Sequence, residues 1–231
     1  MRIDVITLFP EMFQGFLSES LLGKAIERGL VQIVMHNLRD WSQGKHHRVD
    51  DRPYGGGPGM VLMVEPLVDS VEAVRNEGEL EAHLIFLTPQ GRKFHQTIAE
   101  ELVEKNRLIL VCGRYEGFDQ RAIEVLKPDE ISLGDFILNG GETAAMVVID
   151  SVCRLIPGVL GDELSSRNDS FSSGNRLLEY PQYTRPPEYR GLAVPEILLG
   201  GNHQAIEAWR TQKSLEITKT KRSDLLHDPT S

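Results

Sequence analysis

Residues 1 to about 160 of this chain alternate short apolar runs with segments of helical period, which predicts an α/β fold with a largely parallel sheet and helices on both faces. Two other observations complete the architecture. The stretch 161–175, GDELSSRNDSFSSGN, holds five Ser, two Gly and no apolar periodicity, the composition of a flexible interdomain linker. After it, a proline-studded stretch to Pro195 leads to a helix starting near Asn202, whose Ala205, Ile206, Trp209 and Leu215 recur at helical spacing. The expected organisation is therefore 1–160, a linker at 161–175, and a small, mostly helical domain at 176–231.

The first strand is read at 2–8, where Ile3, Val5, Ile6 and Leu8 form an apolar run that Pro10 ends. Strand-like runs follow at 31–36, 83–88, 107–112 and 130–134. They are interleaved with helical segments near 17–28, 66–77, 91–105, 118–126 and 142–155. Periodicity alone favours an ordinary doubly wound sheet, because knotted chains are rare exceptions.

Composition sets limits on function. Length is ample for a packed core, and 40% hydrophobic residues is ordinary for a globular protein. No apolar run reaches the ~18 residues of a membrane span, and MRIDVITLFPEMF lacks the apolar core and cleavage site of a signal peptide. Cys112 and Cys153 sit in apolar runs and read as two buried thiols, which fits the cytoplasm. The net charge of −9 argues against a global field for nucleic acid. Its distribution is uneven: from Asn175 to Ser231 there are eight Lys/Arg against seven Asp/Glu, and before it 17 against 27. An RNA partner would need local patches, of which the best are Lys45-His46-His47-Arg48 with Arg52, and Lys213, Lys219, Lys221 and Arg222. As bare charge runs these are read first as solvated surface.

Three glycine-bearing turns, each following an apolar run, carry the functional signal: LIFLTPQGRK (84–93), LILVCGRYEGFD (108–119) and EISLGDFILNGGET (130–143). Small residues there let a ligand press against backbone, and three such loops beyond the carboxyl ends of parallel strands imply one pocket. Gly140 and Gly141 are expected either to turn tightly or to admit a close backbone approach. No GxxxxGK[ST] is present and no GxGxxG opens a helix. Gly55-Gly56-Gly57-Pro58-Gly59 fails as a phosphate loop, since Pro58 lacks an N–H and the run lies between polar segments. Glu116, Asp119, Asp135 and Glu142 would repel a polyphosphate and favour a cationic ligand. A sulfonium cofactor with an adenine, a ribose and an amino-acid tail fits that balance.

The strings SLGDFILNGGE, VCGRYEGFD and TPQGRK, with RPYGGGPGMV upstream and IPGVLG, DSF, YTRP and LLGGNH downstream, closely resemble the bacterial tRNA (guanine-N1)-methyltransferases of the SPOUT, trefoil-knotted class. The resemblance is collinear from Arg2 to about Leu226. The chain stops somewhat before the family's usual end, so its last helical elements are expected to be shortened. Thr88 stands where relatives also carry Ser, and the change keeps a hydroxyl.

The resemblance implies a deep trefoil knot formed by the three loops, methylation of N1 of the guanine 3′ of the anticodon, and a homodimer in which the linker of one chain closes over the cofactor of the other. It places S-adenosylmethionine against Leu87, Thr88, Pro89, Gln90 and Gly91; Gly113, Tyr115, Glu116 and Gly117; and Ser132, Leu133, Gly134, Asp135, Phe136, Ile137, Leu138, Gly140 and Gly141. It makes Asp169 the general base for the guanine N1 proton and Arg154 the group that stabilises charge on O6. Read without it, Asp169 is a solvated loop carboxylate and Arg154 a side chain whose stem lies along the core. Contacts to tRNA are implied for His46, Arg48, Asp50, Arg52 and Lys213. Glu116 is the candidate to hold the cofactor's ammonium group or to help site a Mg²⁺; no cluster has the spacing of a dedicated metal site. Two alternatives stay open: a knotted enzyme acting on another RNA position or a ribose 2′-hydroxyl, and a protein that binds the cofactor without turnover.

Overall fold

The computed structural model describes residues 1–43, 45–78, 80–161, 169–172 and 176–226. They form two compact units, Met1–Gly161 and Asp162–Ser231. In the first, five parallel strands make one sheet in the order β2 (Gln32–Asn37), β1 (Arg2–Thr7), β6 (Arg107–Cys112), β5 (His83–Lys93), β7 (Asp129–Ser132). A separate hairpin pairs β3 (Asp50–Asp51) with β4 (Val61–Leu62). The helices are α1 (Gln14–Ser18), α2 (Ser20–Glu27), α3 (Val64–Asn76), α4 (Gln96–Val103), α5 (Gln120–Leu126) and α6 (Gly141–Cys153).

Strand alternation assigns the apolar residues to two cores, one on each face. Ile3, Val5, Ile85, Leu87, Leu108 and Leu110 pack with Ile98 and Leu102 of α4 and Val148, Ile149 and Val152 of α6. Ile6, Leu84, Phe86, Ile109 and Val111 pack with Leu67, Val71 and Val74 of α3 and Ala122 and Leu126 of α5. Every residue of the central β6 is buried. Cys112 and Cys153 are both buried thiols; burial holds Cys112 well above its ordinary pKa and pushes Cys153 up to about 12.

The start of β1 and β6 holds a buried charge cluster. Asp4, fully buried, accepts from Arg2 at 2.6 Å, from His36 at 2.9 Å and from Arg107 Nε at 2.8 Å. Arg107, 1% exposed, also donates to the carbonyls of Val74 and Arg75 at the end of α3. Burial alone would raise the Asp4 carboxyl, but the hydrogen bonds from His36, Arg2 and Arg107 outweigh it and hold it below its ordinary value.

Two expected helices differ in the structure. The segment read as one helix at 17–28 is broken at Glu19, which is extended, so that α1 and α2 are separate; Gly23 lets α2 approach the Ser18 backbone, where a Cβ would stand 2.6 Å from its carbonyl oxygen. The helix expected from 91 begins only at Gln96, because β5 leaves the sheet after Leu87 and returns at Arg92: both residues pair with Ile131. Arg92 clamps this return with two bonds to Asp129, at 3.0 and 2.8 Å. Gly91 is required there, since a Cβ would run into the Glu130–Ile131 backbone.

The second unit carries a small hairpin, β8 (Glu188–Tyr189) with β9 (Leu192–Ala193), then α7 (Glu196–Leu199) and α8 (His203–Lys221). Asn202 caps α8, its side chain accepting from Ala205 N. The docked face of α8 is not the expected apolar stripe. Ser214 and Thr218 are its buried residues, with Thr218 Oγ1 accepting from Leu178 N at 2.9 Å and Ser214 Oγ bonding the Leu178 carbonyl, while Leu215 is 37% exposed. Of the linker expected at 161–175, residues 162–168 and 173–175 lie outside the described residues. No helix among the described residues is long and apolar enough to cross a membrane.

Candidate functional site

The three glycine loops, the first within the excursion of β5 between Leu87 and Arg92 and the others following β6 and β7, line a single cavity of about 440 Å³ at the carboxyl end of the sheet. Its walls include Leu87, Thr88, Pro89 and Gln90 from the first loop, Gly113, Tyr115, Glu116 and Gly117 from the second, and Ser132, Leu133, Phe136, Ile137, Leu138, Gly140 and Gly141 from the third. Three residues expected there do not line it. Gly91 is pressed against β7, Gly134 turns the third loop at φ 144°, and Asp135 points to solvent with Lys93 at 2.8 Å.

The cavity stays open because the loops pack backbone against backbone. Gly141 N donates to the Gly113 carbonyl at 2.7 Å, and a Cβ on Gly141 would lie 2.7 Å from Gly113 N. Gly140 is extended at φ 178°, and a Cβ there would run into the Arg114 side chain. Neither glycine lies in the left-handed region, so close approach and not turn geometry demands them. Tyr115 and Gly117 do take positive φ, 61° and 112°, which folds the second loop back on itself.

Arg114 lines the cavity and was not singled out in the sequence. It knits the first unit's parts together: Nε lies 2.8 Å from the fully buried Glu142, Nη1 donates to the Asn139 carbonyl at 3.2 Å, and the guanidinium sits 4.4 Å from the Phe9 ring centroid. Thr7 donates to the other Glu142 oxygen at 2.7 Å. The charge argument changes accordingly. Glu142 is consumed by Arg114 and Thr7; Asp119 caps α5 and pairs with Arg121; Asp135 pairs with Lys93. Of the four carboxylates expected near the ligand, Glu116 alone lines the cavity. It is set by the neighbouring hairpin: Glu116 N donates to Met60 O at 2.9 Å, and Gly59, at φ 82°, leaves the room its side chain fills.

Arg154 stands half-buried at the C-cap of α6 in the first unit. Asp169 is half-buried in the second, in a turn closed by Ser172 N donating to its carbonyl at 3.2 Å. That turn is tied down: Phe171 N donates to Leu177 O, Ser170 Oγ accepts from Glu179 N, and Arg222 lies 5.7 Å from the Phe171 ring centroid. Among the expected RNA contacts, His46, Arg48 and Arg52 are exposed around β3 beside the fully open Tyr54, Arg48 pairs with Asp51 and donates to the Asp50 carbonyl, and Lys213 pairs with Glu216. One group among the described residues has the spacing of metal ligands: Asp4, His36 and Glu77, where Arg2 and Arg107 already neutralise the carboxylate.

A sequence model of the family described as tRNA (Guanine-1)-methyltransferase TrmD matches residues 1–228. The tRNA (guanine-N(1)-)-methyltransferase of Rhodopirellula baltica is 60% identical over 227 residues, covering 98% of this chain and 94% of that protein. Those of Dehalococcoides mccartyi and Geobacter sulfurreducens are 57% and 55% identical, each covering 98% of this chain and 90% and 91% of the relative. With so close a match running through both units and all three loops, the chain belongs to the tRNA (guanine-1)-methyltransferase family.

Proposed function

We propose that this enzyme transfers a methyl group from S-adenosylmethionine to N1 of the guanine 3′ of the tRNA anticodon, giving 1-methylguanosine. The observation that carries the reading is the cavity: three loops of a family methyltransferase meet there, with Gly113, Gly140 and Gly141 at points where a side chain would collide with the neighbouring loop. Its volume suits a small cofactor, its apolar residues Leu133, Phe136, Ile137 and Leu138 suit an adenine, and Glu116 suits the positive charge of a sulfonium or an ammonium. The residues present therefore fit the cofactor. A resident Mg²⁺ has less to hold it, since Glu116 is the lone carboxylate of the described wall, and no step is assigned to an ion.

Bound S-adenosylmethionine supplies the electrophilic methyl group. The chain's own task is to make guanine N1 nucleophilic, because its lone pair is unavailable while the proton remains. Asp169 takes that proton. A free aspartate is a weak base for this, so the step needs the Asp169 carboxylate in direct hydrogen-bond reach of N1–H. Deprotonation moves charge onto O6, where the planar guanidinium of Arg154 stabilises it. Arg114 positions the third loop through Asn139 and Glu142. The reading includes a trefoil knot, which rests on membership of the family, and a homodimer in which Asp169 serves the partner's cavity. His46, Arg48, Asp50, Arg52 and Lys213 are proposed as tRNA contacts.

The test is the nucleoside product. Incubation with methyl-labelled cofactor and unmodified tRNA, followed by digestion, is expected to yield labelled 1-methylguanosine from the position 3′ of the anticodon. Label in a 2′-O-methyl nucleoside, at another position, or in no nucleoside contradicts the assignment.

A further inference from the structure

We propose that the second unit holds a nucleotide subsite, which takes an unstacked base of the tRNA other than the methylated guanine, together with a flanking phosphate. The proposal rests on the tRNA reading above. It starts from a cavity of about 640 Å³ formed wholly within this unit, between the proline-studded stretch after Leu178 and the first turns of α8.

Three aromatic rings line it: Tyr180, Tyr183 and Trp209. Tyr183 and Trp209 stand with centroids 6.4 Å apart and planes at 54°, so neither ring covers the face of the other. Tyr183 is 48% exposed, which leaves ring surface for a ligand to cover. Two guanidinia complete the wall. Arg210 lies 4.8 Å from the Tyr180 ring centroid; its Nη1 is held by Glu207, and its Nε is buried with no hydrogen-bond partner among the described residues. Arg185 is exposed. In a chain of net charge −9, this cavity is lined by two cations and no carboxylate.

That combination selects among occupants. A greasy partner helix has no use for two guanidinia, and an acidic peptide has none for three rings. A nucleotide uses both, presenting a π-face to the rings and a phosphate to the arginines. Ile206 and Trp209, whose helical spacing marked this helix in the sequence, line the cavity in the structure.

Tyr183→Ala is expected to raise the Kd and KM for tRNA about 5- to 150-fold, the worth of one stacked base expressed as a ratio. Affinity for S-adenosylmethionine, read by calorimetry, is expected to stay unchanged, and Tyr183→Phe to restore tRNA binding. With Trp41→Phe leaving Trp209 as the only indole, added tRNA is expected to quench its fluorescence. Should Tyr183→Ala fail to fold, Arg185→Ser tests the phosphate: the slope of log Kd against log salt should fall by about one contact. Wild-type enzyme that makes 1-methylguanosine while Tyr183→Ala and Arg185→Ser bind tRNA normally overturns the subsite alone. Subunits that separate in Tyr183→Ala overturn it too, by making the cavity an interface between copies. Wild-type enzyme that makes no 1-methylguanosine and binds no tRNA overturns the functional reading, and the subsite with it.

Discussion

At the start of β1 and β6 the sheet is closed by charge, whereas beyond their carboxyl ends it is left open by glycine. Asp4 accepts from three side chains and Arg107 donates on to two carbonyls at the end of α3, so the charges there are matched to one another. At the other end Gly113, Gly140 and Gly141 hold three loops within backbone contact and keep a cavity between them. The same strands thus carry a structural end and the end proposed to hold the cofactor. Both ends hold a buried arginine–carboxylate pair, yet Arg107–Asp4 joins strands of the core while Arg114–Glu142 braces a cavity wall. Burial of a charged pair is therefore not by itself a sign of function; what the pair adjoins decides.

The comparison breaks if the reactive chemistry does not depend on the open end and its proposed partner base. Asp169→Asn keeps size and hydrogen bonding but abolishes basicity, so methyl transfer is expected to fall ~10²- to 10⁴-fold with cofactor affinity unchanged by calorimetry. A variant retaining a tenth of wild-type turnover would not have lost its base. Mixed with a cavity variant of the partner chain, it should regain about a quarter of wild-type activity, the value for random pairing with one complete site per hybrid.

At the closed end the expected loss is of stability. Asp4→Ala leaves Arg107 buried and unpaired, which costs about 3–5 kcal/mol and should appear as an earlier urea midpoint, while protein that remains folded binds the cofactor normally. The pH dependence has a definite sign. The folded-state pKa of Asp4 lies below its unfolded value, so its stabilisation is complete above about pH 4 and is lost as pH falls through the folded pKa. Asp4→Asn should flatten this acid limb. An unchanged acid profile would mean that another carboxylate governs it.

How much of this was legible in the sequence depends on range. β1 and β6 were readable because a buried parallel strand is a nearly continuous apolar run, and the three loops were readable because their glycines follow short apolar stretches. The return of β5 at Arg92 was not, since it is fixed by Asp129, a partner remote in sequence and close in space. For the same reason Asp119, Asp135 and Glu142 looked like ligand-facing charges until their partners Arg121, Lys93 and Arg114 were placed. Arg114 itself had a faint signal, a cation between Gly113 and Tyr115 in a loop otherwise built for space. In α8 the apolar spacing of Ile206 and Trp209 marked the helix, and only the structure shows Ser214 and Thr218 buried on its docked face. Local patterns report strands and turns; they do not report which charges cancel.

The measurement that bears most directly on the open end is calorimetric titration of S-adenosylmethionine into wild-type enzyme and Gly140→Val, with circular dichroism to establish folding. Gly140 is the informative position because a side chain there meets the flexible Arg114, whereas one on Gly141 meets the β6 backbone and threatens the fold. The account predicts one cofactor per cavity in the wild type and an affinity at least about tenfold weaker, or lost, in a folded Gly140→Val, an effect of roughly 1.4 kcal/mol or more. Undiminished affinity in the folded variant would contradict it and place the cofactor elsewhere than among the three loops.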